Sequence, residues 1–103
     1  MRKVINGKMY NTETAEFLGG WSNGYYTNDF HYCSEDLYRT KKGTYFIYGK
    51  GGAMSRYSSD KGNGWRGFGS DIRLLSIEEA KAWAMVRLDA DDYENIFGDV
   101  EEG

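Results

Sequence analysis

The segment YFIYGKGG, Tyr45 to Gly52, decides how the chain is read. A lysine among glycines invites comparison with a phosphate-binding loop, but the spacing excludes it. Five residues separate Gly43 from Gly49 where G-x-x-x-x-G-K-[ST] requires four, and Gly51 stands where the metal-binding hydroxyl belongs. Four consecutive aromatic or β-branched residues instead predict a central strand buried on both faces, with Gly49-Lys50-Gly51-Gly52 as the flexible exit where its ladder ends. Thr40-Lys41-Lys42-Gly43 fits a type I turn whose glycine takes the left-handed position, so residues 37–40 are expected to pair antiparallel with residues 44–48.

Working outward, KVI and KMY flank Asn6-Gly7, a dipeptide suited to a two-residue hairpin turn. TAEFLGGWSNGYY (14–26) carries three glycines in an apolar, aromatic run and reads as a bent or bulged strand. AMSRYSS (53–59) reads as a short strand, DKGNGWRGFGSD (60–71) as a glycine-rich loop and IRLLS (72–76) as a last strand. At Ser76 the period changes. Ser76 and Glu79 have capping-box spacing, and Ile77, Ala80, Ala84 and Leu88 recur at helical intervals, predicting a helix over 77–88. A second, shorter helix follows, with Asp89 or Asp91 as cap, Tyr93, Ile96, Phe97 and Val100 as its apolar stripe, and Gly98 as its stop. Strands first and helices last predict an α+β fold: a twisted antiparallel sheet of about five or six strands, with one longer and one short C-terminal α-helix on one face. No βαβ pattern supports a doubly wound nucleotide-binding fold, and no internal repeat is visible.

With 103 residues, 17% aromatic and 28% charged, and no proline, the chain has the composition of one globular domain, β-rich over 1–75 and helical and acidic over 76–103. The single cysteine, Cys33, cannot form an internal disulfide, which favours a reducing compartment. No apolar run approaches the length of a membrane span, and MRKVINGKMY lacks a secretory apolar stretch, so a soluble cytoplasmic protein of a bacterial host cell is expected, with no membrane partner. The net charge of −3 is unevenly spread: eleven Lys and Arg face seven Asp and Glu through residue 75, and two face nine thereafter. Such segregation favours steering toward a charged partner.

The chemistry-bearing residues are few. His31 and Cys33 would share a face on a strand, but no third orienting group or nucleophile-elbow glycine accompanies them, and one His and one Cys cannot fill a zinc site. Asp89, Asp91, Asp92 and Glu94 miss the register of a calcium loop and suit the first turn of a helix. No catalytic residue, metal or cofactor is therefore expected. Two surfaces are candidates for partner binding. One is the basic and aromatic stretch holding Arg39, Lys41, Lys42, Lys50, Arg56, Trp65 and Arg66, whose composition suits either a protein interface or single-stranded nucleic acid. The other is the acidic end, Asp89, Asp91, Asp92 and Glu94, which imitates a phosphate array. Nothing proline-like guards the sheet edges, so monomer and homodimer are both compatible with the sequence.

INGKMYNTETAE, SNGYYTNDFHYCSEDLYRTKKGTYFIYGKGGAMSRY, LSIEEAKAWA and LDADDYENIFG together resemble a family of small proteins found on phages, plasmids and integrative elements of bacteria, of the kind that includes anti-CRISPR inhibitors. The likeness covers most of the chain. It implies a non-enzymatic inhibitor of a bacterial defence nuclease, whose partner is a CRISPR effector or another such nuclease and which blocks nucleic-acid loading or activation. The alternative is a nucleic-acid-binding accessory or regulatory protein of a mobile element.

Overall fold

The computed structural model describes residues 1–103. Its elements in chain order are β1 (Arg2–Ile5), β2 (Lys8–Asn11), β3 (Glu16–Ser22), β4 (Cys33–Arg39), β5 (Tyr45–Gly51), β6 (Ser59–Gly62), β7 (Trp65–Gly67), β8 (Gly69–Leu75), α1 (Ile77–Arg87) and α2 (Ala90–Phe97). The fold is α+β, with its strands distributed over a four-stranded antiparallel sheet, order β3-β4-β5-β8, and two ribbons, β1-β2 and β6-β7. No helix is long and apolar enough to cross a membrane.

The expected central strand is β5, and its alternation builds three layers. On one face Tyr45 and Ile47 join Leu37, Leu75 and Ala80, with Trp83, Ile96 and Phe97 packed against them. On the other face Phe46 joins Tyr10 and Ile72, bringing the β1-β2 ribbon onto the sheet. Leu37, Phe46 and Ile47 are fully enclosed, each burial contributing about 1.5–3 kcal/mol. The ribbon turns at Asn6 and Gly7, both at positive φ, and Lys3 ties it to Asp71 of β8 at 2.6 Å. The β4-β5 turn closes with Gly43 at φ 91°, and β4 runs back as far as Cys33, opposite Gly51. In β3 the expected bulge falls between Phe17 and Gly19.

Four segments depart from the sequence reading. The strand read over 14–26 ends at Ser22, and residues 23–26 leave the sheet. Gly49-Lys50-Gly51 is not a flexible exit but the second half of β5, paired on both sides, with Gly49 and Gly51 buried. These glycines mark close approach rather than freedom: a Cβ at Gly49 would overlap the Tyr57 ring, and one at Gly51 would meet Ser55 and the Tyr32 carbonyl. Residues 53–57 form turns, not a strand, because Ser55 caps its own loop, its Oγ donating to the Gly52 carbonyl at 2.8 Å and accepting from the Tyr57 N–H at 3.2 Å. The segment 60–71, read as loop, holds most of the β6-β7 ribbon and the start of β8, the ribbon turning at Asn63 and Gly64 with φ of 51° and 79°. It repeats the Asn-Gly signal that marked the first hairpin.

The helices follow their caps. Ser76 Oγ accepts from the Glu79 N–H at 3.1 Å while the Glu79 carboxylate accepts from the Ser76 N–H at 2.9 Å, and these bonds hold the Glu79 carboxyl below the usual range. Ala80 and Ala84 are fully buried, their small size letting α1 lie close on the sheet, whereas Ile77 is exposed. Asp89 caps α2 by accepting from the Asp92 N–H at 2.8 Å. Phe97 packs against Tyr45 and Tyr93, with centroids 5.7 and 4.9 Å away, while Val100 lies beyond the helix and is exposed.

Candidate functional site

The sheet has two ends. The row Arg39, Tyr45, Leu75 lies at the β4-β5 turn, and the row Cys33, Gly51, Gly69 lies six residues away along each strand, about 20 Å at the rise of an antiparallel strand. Three irregular segments gather at this second end. Residues 23–32 arch from β3 to β4, held by Asn23, whose Nδ2 donates to the His31 carbonyl at 2.7 Å and whose Oδ1 accepts from the Cys33 N–H at 3.2 Å. Residues 52–58 clasp this arch, the Gly52 N–H donating to the Tyr32 carbonyl at 2.9 Å and the Met54 N–H to the Phe30 carbonyl at 2.8 Å. The β6-β7 ribbon is fastened by Arg66, whose guanidinium donates to the Ser58 hydroxyl at 2.8 Å and the Ser58 carbonyl at 2.7 Å.

Tyr32 and Tyr57 of these segments point inward, but four large side chains turn outward: Tyr26 is 85% exposed, Trp65 71%, Phe30 68% and Met54 66%. Of the chain's 17 aromatic residues, only Tyr10, Tyr32, Tyr45, Phe46 and Tyr57 are buried. Arg56, Lys61 and Arg66 are exposed on the same segments. Arg66 is held by its bonds to Ser58, and the acids here are Asp29, beside His31 at 3.4 Å, and Asp60.

A buried carboxylate supports this end from beneath. Glu35, on β4, is 2% exposed; it accepts from the Tyr57 hydroxyl and from Trp83 Nε1, the latter at 3.0 Å. Arg56 and Arg73 each approach its Oε2 to 3.8 Å. Gly49 opposite Glu35 leaves the space in which Tyr57 crosses the sheet. Burial, then the Glu35 bond, push the Tyr57 hydroxyl well above the ordinary tyrosine range. Loop, sheet and α1 thus meet at one carboxylate, whose two oxygens are both engaged, although the buried Nε of Arg73 beside it finds no partner. Sequence periodicity gave no sign of it, since Glu35 sits in SED, a polar stretch of β4.

His31 and Cys33 do not form the pair their spacing allowed. His31 lies in the arch, exposed and next to Tyr25, with ring centroids 5.6 Å apart, while Cys33 begins β4. Burial, reinforced by Glu35 and partly offset by Arg56 and Arg87, pushes the Cys33 thiol up, the opposite of an activated nucleophile.

The basic stretch read from the sequence is divided. Arg39, Lys41 and Lys42 lie at the turn end, where Arg39 pairs with Glu16 at 2.8 Å. Arg56, Trp65 and Arg66 lie at the loop end. Lys50 lies on β5 toward the loop end, its charge partly offsetting the burial that raises the Asp36 carboxyl. Asp89, Asp91, Asp92 and Glu94 are all exposed at the start and middle of α2, with Asp89 committed to its cap. Tyr26, Phe30 and Met54 were missed as surface groups, since the strand read over 14–26 ran through Tyr26 and the one read over 53–59 took in Met54; Tyr26 and Phe30 lie instead in the arch 23–32 and Met54 in the turns after Gly52. No protein family, curated protein or solved structure matches the chain.

Proposed function

We propose that the protein acts without chemistry of its own, as an inhibitor that binds a bacterial defence nuclease of the CRISPR effector kind and covers a surface needed for nucleic-acid loading or activation. The observation that carries this reading is the loop end, where Tyr26, Phe30, Met54 and Trp65 stand exposed together with Arg56 and Arg66. Large apolar groups clustered on a surface mark interaction sites, and Trp, Tyr and Arg are the residues that dominate binding energy. The clasp between residues 23–32 and 52–58 and the Glu35 network beneath hold the backbone that carries these groups before a partner arrives, which reduces the ordering cost of association. The class of partner comes from the resemblance to small mobile-element proteins. The acidic turn of α2 supplies a second contact of opposite sign.

The test mixes the purified protein with a CRISPR effector and its guide and follows target cleavage and co-elution. The expected outcome is a stable complex with reduced cleavage, weakened about 30-fold by Trp65→Ala, the equivalent of about 2 kcal/mol for an interface hot spot. Unchanged cleavage and no complex across several effector types refute it.

A further inference from the structure

We propose that the groove between β2 and the β4-β5 turn binds the phosphate groups of a nucleotide, free or within a single strand. This site lies at the opposite end of the sheet from the aromatic loops and does not depend on them. The groove is open to solvent, offers about 570 Å³, and counts Lys8, Lys41, Lys42, Thr40 and Thr44 among its lining, with the buried Tyr10 and the apolar Met9 and Ala15 beside them. Small-ligand sites run from about 300 to 1,000 Å³, so a nucleotide fits it in size.

Both walls are held rigid by their own bonds. The Thr40 N–H donates to the Thr44 carbonyl at 2.8 Å, Thr40 Oγ1 accepts from the Thr44 N–H at 3.1 Å, and the Gly43 N–H returns to the Thr40 carbonyl at 2.9 Å. Across the groove, Tyr10 anchors β2 edge-on to Phe46, with centroids 6.0 Å apart. Asn11 turns the following chain, its carbonyl accepting from the Ala15 N–H at 3.1 Å and its Oδ1 from the Glu13 N–H at 2.9 Å. Lys8 thus lines the groove from a different element than Lys41 and Lys42.

The charge balance selects an anion. Lys8, Lys41 and Lys42 make no ion pair, while Glu16, which borders the adjoining recess, is held by Arg39 at 2.8 Å. Glu13 is the nearest other acid in sequence and does not line the groove. Lysines from two elements and the threonines Thr40 and Thr44 line one groove, and phosphate carries more than one oxygen able to accept from each; Thr14 Oγ1 already donates to the Asn11 carbonyl at 3.4 Å. A single carboxylate would leave most of these donors to water.

The test titrates the full-length protein with ATP by calorimetry and with a labelled single-stranded ten-nucleotide DNA by anisotropy, at 50 and 200 mM salt. With three lysines on phosphates, strand affinity is expected to fall roughly 20-fold between these salts, from a slope of about −0.7 per contact. Lys41→Glu with Lys42→Glu is expected to abolish binding, and Lys8→Gln, on a separate element, to make the slope shallower by about 0.7. All three lysines are exposed, so the variants should melt with the parent. Binding of ATP alone assigns the site to free nucleotides and binding of the strand alone to a phosphodiester; either supports the proposal. No binding of either probe, binding unmoved by both variants, or equal competition by a polyglutamate peptide overturns it.

Discussion

Replacing Tyr57 by phenylalanine removes one hydroxyl from the Glu35 network and leaves the ring over Gly49. A hydrogen bond to a charged group is worth about 1.5–3 kcal/mol. Glu35 keeps Trp83 at 3.0 Å and both arginines at 3.8 Å, which places the expected loss near about 2 kcal/mol. For a chain this size that is a drop in Tm of about 8–16 °C, out of a total stability of about 5–15 kcal/mol. The effect has a pH signature. The folded state holds the Tyr57 proton above the ordinary tyrosine value of 10.0, so the folded protein binds the proton more tightly than the unfolded chain. The corresponding stability is complete below about pH 10 and is lost as pH climbs toward the folded value, at up to about 1.4 kcal/mol per unit. Phenylalanine has no such proton. The stability difference between parent and Tyr57→Phe is therefore expected to be constant from pH 7 to 9 and to narrow from pH 10 to 11. Urea denaturation of both proteins across this range measures it. A variant within about 0.5 kcal/mol of the parent at pH 7, or a difference that stays flat through pH 11, refutes the assignment of Tyr57 as a donor to a buried carboxylate.

Gly49→Ala places a methyl group into the Tyr57 ring and should cost at least about 3 kcal/mol, combining overpacking with loss of the Glu35 bond, as read by denaturant midpoints. Ser76→Ala removes the acceptor for the Glu79 N–H and is expected to cost about 1 kcal/mol in the same assay, with helix content reduced only near the melt. Trp65→Ala, at an exposed position, should change stability by less than about 0.5 kcal/mol while weakening the effector complex, so a large fall in Tm would show that Trp65 belongs to the fold instead.

The local elements were legible in the sequence because each carries its signal within a few residues. Asn6-Gly7 set the first hairpin, Thr40 to Gly43 the β4-β5 turn, and Ser76 with Glu79 the start of α1. The run Tyr45 to Tyr48 placed the central strand because four bulky residues in succession can be buried only with cover on both faces. Charge counting also found the basic residues, but sequence proximity could not say that β4 and β5 carry them to opposite ends of the sheet. What only the tertiary structure decided was where the glycines and the lone buried carboxylate stand. Gly49 and Gly51 read as flexibility, yet they are strand positions that receive Tyr57 and Ser55 from another segment. Glu35 read as an ordinary polar residue, yet donors from residues 57 and 83 converge on it. Local propensity acts through a residue and its immediate neighbours, whereas these contacts span 22 and 48 positions and exist only once the sheet has brought their elements together.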